Sequence, residues 1–201
     1  MIHTVIVPGV AGSEAEHWQS WLAEQLPLCS WVEQNNWHLP ILDDWVEQLR
    51  LSLSHIQGPI QIVAHSFGCL TTMAALEQHP QLRDNIQRVV LVAPANPTRF
   101  NRHGFAQDQH SNYGAFFHAL KPHVDTHMLI SENDPWLGFE DAQGLAAAWQ
   151  IKPINLGAVG HVNVASGFGP FPQIFDHLIS ENTMLDISII DDGKHFFKFA
   201  I

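Results

Sequence analysis

Ser66 stands in the run Ala64-His65-Ser66-Phe67-Gly68, between an apolar stretch and the start of a helical pattern. A serine hydroxyl is a weak nucleophile at neutral pH and needs a neighbouring base to take its proton as it attacks. Placed on a sharp turn between strand and helix, it stands clear of the sheet as a nucleophile elbow. Small residues two positions before and after let the two elements pass closely, and here they are Ala64 and Gly68. The usual pattern carries glycine at both places, so Ala64 is a departure. Two later segments carry the partners such a serine needs. Ser131-Glu132-Asn133-Asp134-Pro135-Trp136 offers a carboxylate, with Glu132 and Asp141 as its nearest substitutes. Pro135 biases Asp134 toward extended backbone. Gly157-Ala158-Val159-Gly160-His161 offers an imidazole in a glycine-rich loop.

These residues can meet only if strands bring them to one edge. Ile2–Val7, Trp31-Val32, Ile60–Ala64, Val89–Val92, Thr126–Ile130 and Ile154–Leu156 read as six short strands. Helical patterns intervene at Ser13–Leu26, with Ser13 and Glu16 as a capping box, at Ile41–Ile56 and at Phe67–His79. In the last of these Leu70, Met73, Ala74 and Leu76 form the apolar side. Strand–helix alternation implies an α/β fold of three layers, a mostly parallel sheet of about six strands with helices on both faces. In such a sheet, reacting groups lie beyond the carboxyl ends of the strands. Ser66, Asp134 and His161 follow three strands in the order expected of an α/β-hydrolase triad. The oxyanion of acyl transfer would be held by the backbone N–H of Phe67 and by one from the loop after the first strand. Val10 is the first candidate there and Ala11 the second.

Composition excludes other classes. The 201 residues suit one hydrolase domain over 1–182, followed by an extension over 183–201 that reads as two strands around Asp191-Asp192-Gly193. That hairpin would either lengthen the sheet or exchange with a second copy of the chain to make a homodimer. A net charge of −11 repels phosphate backbones and anionic membrane surfaces, so neither nucleic acid nor membrane is an expected partner. Two cysteines and no signal sequence point to the cytoplasm. Cys69 reads as a small buried residue, and His65 as a packing residue. Among fourteen histidines, His123 and His127 alternate with Asp125. Without a His-Glu-x-x-His pattern or closely spaced cysteines, histidines entering an edge strand explain this more simply than zinc, and no cofactor is expected. Asn96–Pro122 is long for a turn and rich in aromatic residues, including Phe105. Trp136, Phe105 and Phe168 are the candidates for an apolar substrate pocket.

The chain also resembles a known family. The Pro8-Gly9-x-x-Gly12 loop followed by His17-Trp18, the Ala64–Cys69 run, the Asp134-Pro135 loop, and Gly160-His161-x-Asn163 with Ser166-Gly167-Phe168-Gly169 look like the YdeN-like serine hydrolases. The retinoblastoma-binding protein nine group belongs to the same small α/β-hydrolase family. The resemblance runs from about residue 3 to 178. It implies Ser66 as nucleophile, His161 as base, Asp134 as the acid that orients it, and no large lid domain. The expected activity is that of a carboxylesterase of EC 3.1 type, cleaving small esters or ester-like amides and thioesters. A protein-binding scaffold on the same fold, and an acyltransferase using the same triad, are the alternatives.

Overall fold

The computed structural model describes residues 1–99 and 113–180. Phe105 and the hairpin expected beyond residue 183 lie outside the described residues. Six strands form one parallel sheet: β1 (His3–Val7), β2 (Cys29–Trp31), β3 (Ile60–His65), β4 (Ile86–Val92), β5 (Thr126–Ile130) and β6 (Ile154–Asn155). Their order is β2-β1-β3-β4-β5-β6. Five helices connect them: α1 (Trp18–Gln25), α2 (Leu42–Ser54), α3 (Phe67–Gln78), α4 (Tyr113–Ala119) and α5 (Phe139–Trp149). The chain reverses direction across the sheet between β1 and β3, and such a reversal opens a crevice at the strands' carboxyl ends. Among the described residues no insertion amounts to a lid domain, and no helix is long and apolar enough to cross a membrane.

Strand side chains alternate between two cores, as the period of two requires. Val5, Ile62, Ala64, Val89, Leu91, Met128 and Ile130 pack with α2, α3, α4 and α5. Val63, Val90, Val92 and Leu129 pack with Trp18 and Leu22 of α1 and with Phe171, Ile174 and Leu178 near the described C-terminal end. Burial on both faces explains why β3 and β4 read as almost continuous apolar runs. Helix α3 is buried from Phe67 to Leu76 on every side, so the apolar stripe read from its sequence is only part of its contact.

Helix α1 departs from its sequence-based reading. It begins at Trp18, with His17 in extended backbone as its N-cap. The Nδ1 of His17 accepts the Gln19 N–H at 3.1 Å. The Ser13 hydroxyl instead donates to the Gln19 side chain at 2.7 Å, so the Ser13–Glu16 capping box does not form. A buried imidazole acceptor fixed at the first turn has displaced the serine cap.

The elbow is the tightest point of the fold. A Cβ on Gly68 would lie 2.3 Å from the Val7 carbonyl oxygen and 2.5 Å from that of Pro8. One on Gly9 would lie 2.8 Å from the Ser66 Cβ. Helix α3 therefore crosses the end of β1 with room for hydrogen only. Ala64, by contrast, is an ordinary buried core residue. The variant Gly68→Ala forces a methyl group against two fixed carbonyls and should cost on the order of 3 kcal/mol. Urea denaturation checks this, and an unchanged midpoint would contradict the crossing.

Candidate active site

Ser66 lies one residue past β3 with φ 54° and ψ −120°, a backbone region that a side-chain-bearing residue rarely occupies. The neighbouring strand β4 and the loop after it hold it there. Ser66 N–H donates to the Val92 carbonyl at 3.1 Å, and the Ser66 carbonyl accepts the Ala95 N–H at 3.1 Å.

Asp134 and His161 arrive from the loops after β5 and β6. The Ser66 Oγ is 2.9 Å from His161 Nε2. The His161 Nδ1 is 2.8 Å from Asp134 Oδ2 and 3.0 Å from Oδ1. A carboxylate only accepts, so Nδ1 carries the imidazole proton and Nε2 presents its lone pair to the serine hydroxyl. Both partners are buried, Asp134 at 8% exposure and His161 at 6%. Asp134 Oδ1 also accepts the Trp136 N–H at 2.8 Å, which closes the turn that Pro135 begins. The substitutes Glu132 and Asp141 are placed elsewhere. Glu132 accepts from Asn155 at the sheet edge, and Asp141 lies in the first turn of α5.

The two loops are tied to each other. Asn133 Oδ1 accepts the Gly160 N–H and the Ser131 hydroxyl, while Ser131 Oγ accepts the Val159 N–H. The His161 N–H donates to Ser166 Oγ at 3.0 Å, and Ser166 in turn donates to Asn163. His161 is thus fixed through its backbone as well as its ring.

Two further imidazoles support it, His65, which its sequence position suggests is a packing residue, and His17. His65 Nε2 donates to the His161 carbonyl at 2.9 Å. The rings of His17 and His65 lie 4.9 Å apart, as do those of His65 and His161. Burial lowers the pKa of His65 well below its ordinary value, with the nearby His161 and His17 adding to the effect. Burial, followed by the proximity of His161, lowers that of His17 from 6.5 to about 4. Their positions after β3 and before α1 carried no spacing signal toward His161. Trp18, beside His17, donates its indole N–H to the Val162 carbonyl at 2.9 Å, linking α1 to the same loop.

Above Ser66 lies a cavity of about 250 Å³ whose wall includes Val10, His17, Phe67, Trp136 and His161. The Ala11 N–H is occupied by the Trp37 carbonyl at 2.8 Å. Val10 N–H has no protein acceptor among the described residues, which leaves it available to a ligand. Trp136 is 40% exposed at the rim, edge-on to His161, with the Arg99 guanidinium 5.4 Å over its ring. Phe168 is not part of this wall. It is partly buried, edge-on to Phe171 at 5.1 Å, and packs against the cluster that contains Trp18 and Leu22 of α1. The Cys69 thiol is fully buried, its Sγ 3.4 Å from the Ala64 and Val92 carbonyls, and burial raises its pKa far above the ordinary value. Asp125 is paired with Arg88 at 2.6 Å.

Depressed histidine pKa values set a sign for stability. Above pH 6.5 His17 is neutral in both the folded and the unfolded chain. Between 6.5 and about 4 only the unfolded chain gains its proton, so stability falls as pH falls. The slope reaches at most about 1.4 kcal/mol per pH unit for each such proton. The variant His17→Asn keeps a capping acceptor without the titration. Its stability should depend less steeply on pH across this window in urea titrations, and an unchanged slope would contradict the burial of neutral His17.

Comparison with known proteins identifies the family of the chain. The serine hydrolase family model matches residues 4–180. The chain is 28% identical over 185 residues to YdeN of Bacillus subtilis (strain 168), named as a hydrolase, covering 87% of this chain and 93% of YdeN. A YdeN-like hydrolase structure from Pectobacterium atrosepticum shares 34% identity at a TM-score of 0.73, covering 88% of each chain. Est1E from Butyrivibrio proteoclasticus, at 14% identity and TM-score 0.58, covers 83% of this chain and 84% of its own, and shares the fold. With its family match spanning all six strands and the elbow, the chain belongs to the serine hydrolase family, among its YdeN-like α/β hydrolases.

Proposed function

We propose that this hydrolase is a serine esterase cleaving small carboxylic esters, or ester-like amides and thioesters, through an acyl-enzyme on Ser66. The observation that carries this reading is the unbroken chain Asp134–His161–Ser66, with contacts of 2.8 and 2.9 Å, opening on a cavity. A serine that merely capped a helix would need neither partner, and the Ser66 side chain makes no capping bond to α3.

In the first step Ser66 Oγ attacks the carbonyl carbon while its proton passes to His161 Nε2. The imidazolium that forms is stabilised by Asp134. The oxyanion takes its hydrogen bonds from the N–H groups of Val10 and Phe67, each worth about 3 kcal/mol in the transition state. His161 then gives its proton to the leaving alkoxide. Water attacks the acyl-enzyme by the same route in reverse, with His161 as base. Neutral His65 and His17 fit this role for His161. They surround it without adding a positive charge that would oppose its protonation.

Labelling with a fluorophosphonate probe, alongside turnover of p-nitrophenyl acetate, tests the reading. Wild type should be labelled and Ser66→Ala should not. Turnover in Ser66→Ala and Asp134→Asn should fall on the order of 10³-fold or more at neutral pH. Equal labelling of wild type and Ser66→Ala would overturn it.

A further inference from the structure

We infer that Trp37 is a positioning residue that sets the oxyanion hole by holding its two arms on one aromatic base; this rests on the serine esterase reading. The arms come from distant parts of the chain, the loop after β1 and the first residue of α3. The sheet brings the arms together as far as the Val7–Ala64 pair, and Gly9 lies against Ser66; Val10 and Phe67 are the next residues beyond these contacts, where loop packing takes over from strand pairing.

Trp37 touches the first arm twice. Its carbonyl accepts the Ala11 N–H at 2.8 Å, which fixes the peptide next to Val10. Its indole backs Gly12: a Cβ there would lie 3.6 Å from both Cδ2 and Cε3 of the ring. On its other side the Trp37 ring meets Trp45 of α2 edge-on, with centroids 5.6 Å apart. Trp45 in turn meets Phe67 edge-on at 4.9 Å, and Phe67 is the second arm. Trp45 and Phe67 are at most 1% exposed, so this base cannot shift without disturbing the core. Trp45 also donates its indole N–H to the Asn36 carbonyl at 3.2 Å. Asn36 Oδ1 accepts the His38 and Leu39 N–H groups, closing the turn that carries Trp37. The path Gly12–Trp37–Trp45–Phe67 is therefore continuous.

This arrangement has a kinetic signature. The oxyanion exists in the transition state and not in the bound ester, so a displaced arm lowers kcat and leaves KM nearly unchanged. Trp37→Ala removes the ring and keeps the backbone carbonyl. Its kcat for p-nitrophenyl acetate should fall roughly ten- to a hundred-fold, the scale of a small misplacement at a reacting centre. The inhibition constant of a trifluoromethyl ketone, whose hemiketal oxygen occupies the hole, should rise by a similar factor. Trp37→Phe should restore most of both losses. Trp37→Leu, which keeps apolar bulk for folding, should behave like Trp37→Ala. An unchanged kcat and inhibition constant in a folded Trp37→Leu would overturn the inference. So would a loss that tracks melting temperature and is not rescued by phenylalanine. If wild-type turnover does not depend on Ser66, the serine esterase reading fails and this inference with it. If it does depend on Ser66 while the Trp37 variants match wild type, only this inference fails.

Discussion

Everything at the site depends on how closely α3 crosses the end of β1. That crossing places Ser66 at φ 54°, a conformation that costs on the order of 1–3 kcal/mol and persists only when its surroundings enforce it. Three constraints enforce it. Gly68 packs against the Val7 and Pro8 carbonyls, Gly9 passes beside the Ser66 Cβ, and β4 with the loop after it takes up the Ser66 peptide through Val92 and Ala95. Strands β1, β3 and β4 are thus all committed to one turn. Strain at the turn points the hydroxyl out of the sheet, where an imidazole from another loop can reach it.

The imidazole has its own scaffold. His161 is held at its backbone N–H by Ser166, at its carbonyl by His65, and at its ring by Asp134 and Ser66. Asn133 joins the acid loop to the base loop, so neither moves independently. Burying three histidines together would be unfavourable if all were charged. Depressed pKa values at His17 and His65 resolve this by keeping both neutral as supports. Precise geometry and suitable electrostatics therefore arise from the same burial.

Much of this was legible in the residues. Strand β5 runs from Thr126 to Ile130 as its apolar run suggests, and Ser66, Asp134 and His161 do follow strand ends that meet in space. Those signals are local: a period of two, a proline, a glycine-rich loop. The true start of α1 was hidden, since Ser13-x-x-Glu16 satisfies the local rule while the buried His17–Gln19 pair decides the outcome. Phe168 could not be placed because an aromatic residue near a site motif gives no indication of which face of the sheet it packs under. The contacts of His65 and Trp37 join residues far apart in the chain, and no spacing in the sequence encodes them.

The central claim is that Ser66 carries the acyl group between the two half-reactions. Acid quenching during turnover of a slowly deacylated ester, followed by peptide mass spectrometry, tests it most directly. An acyl adduct should appear on the peptide containing Ser66 and be absent from Ser66→Ala. Continued turnover with no adduct at Ser66, or an adduct at another residue that persists in Ser66→Ala, would contradict it.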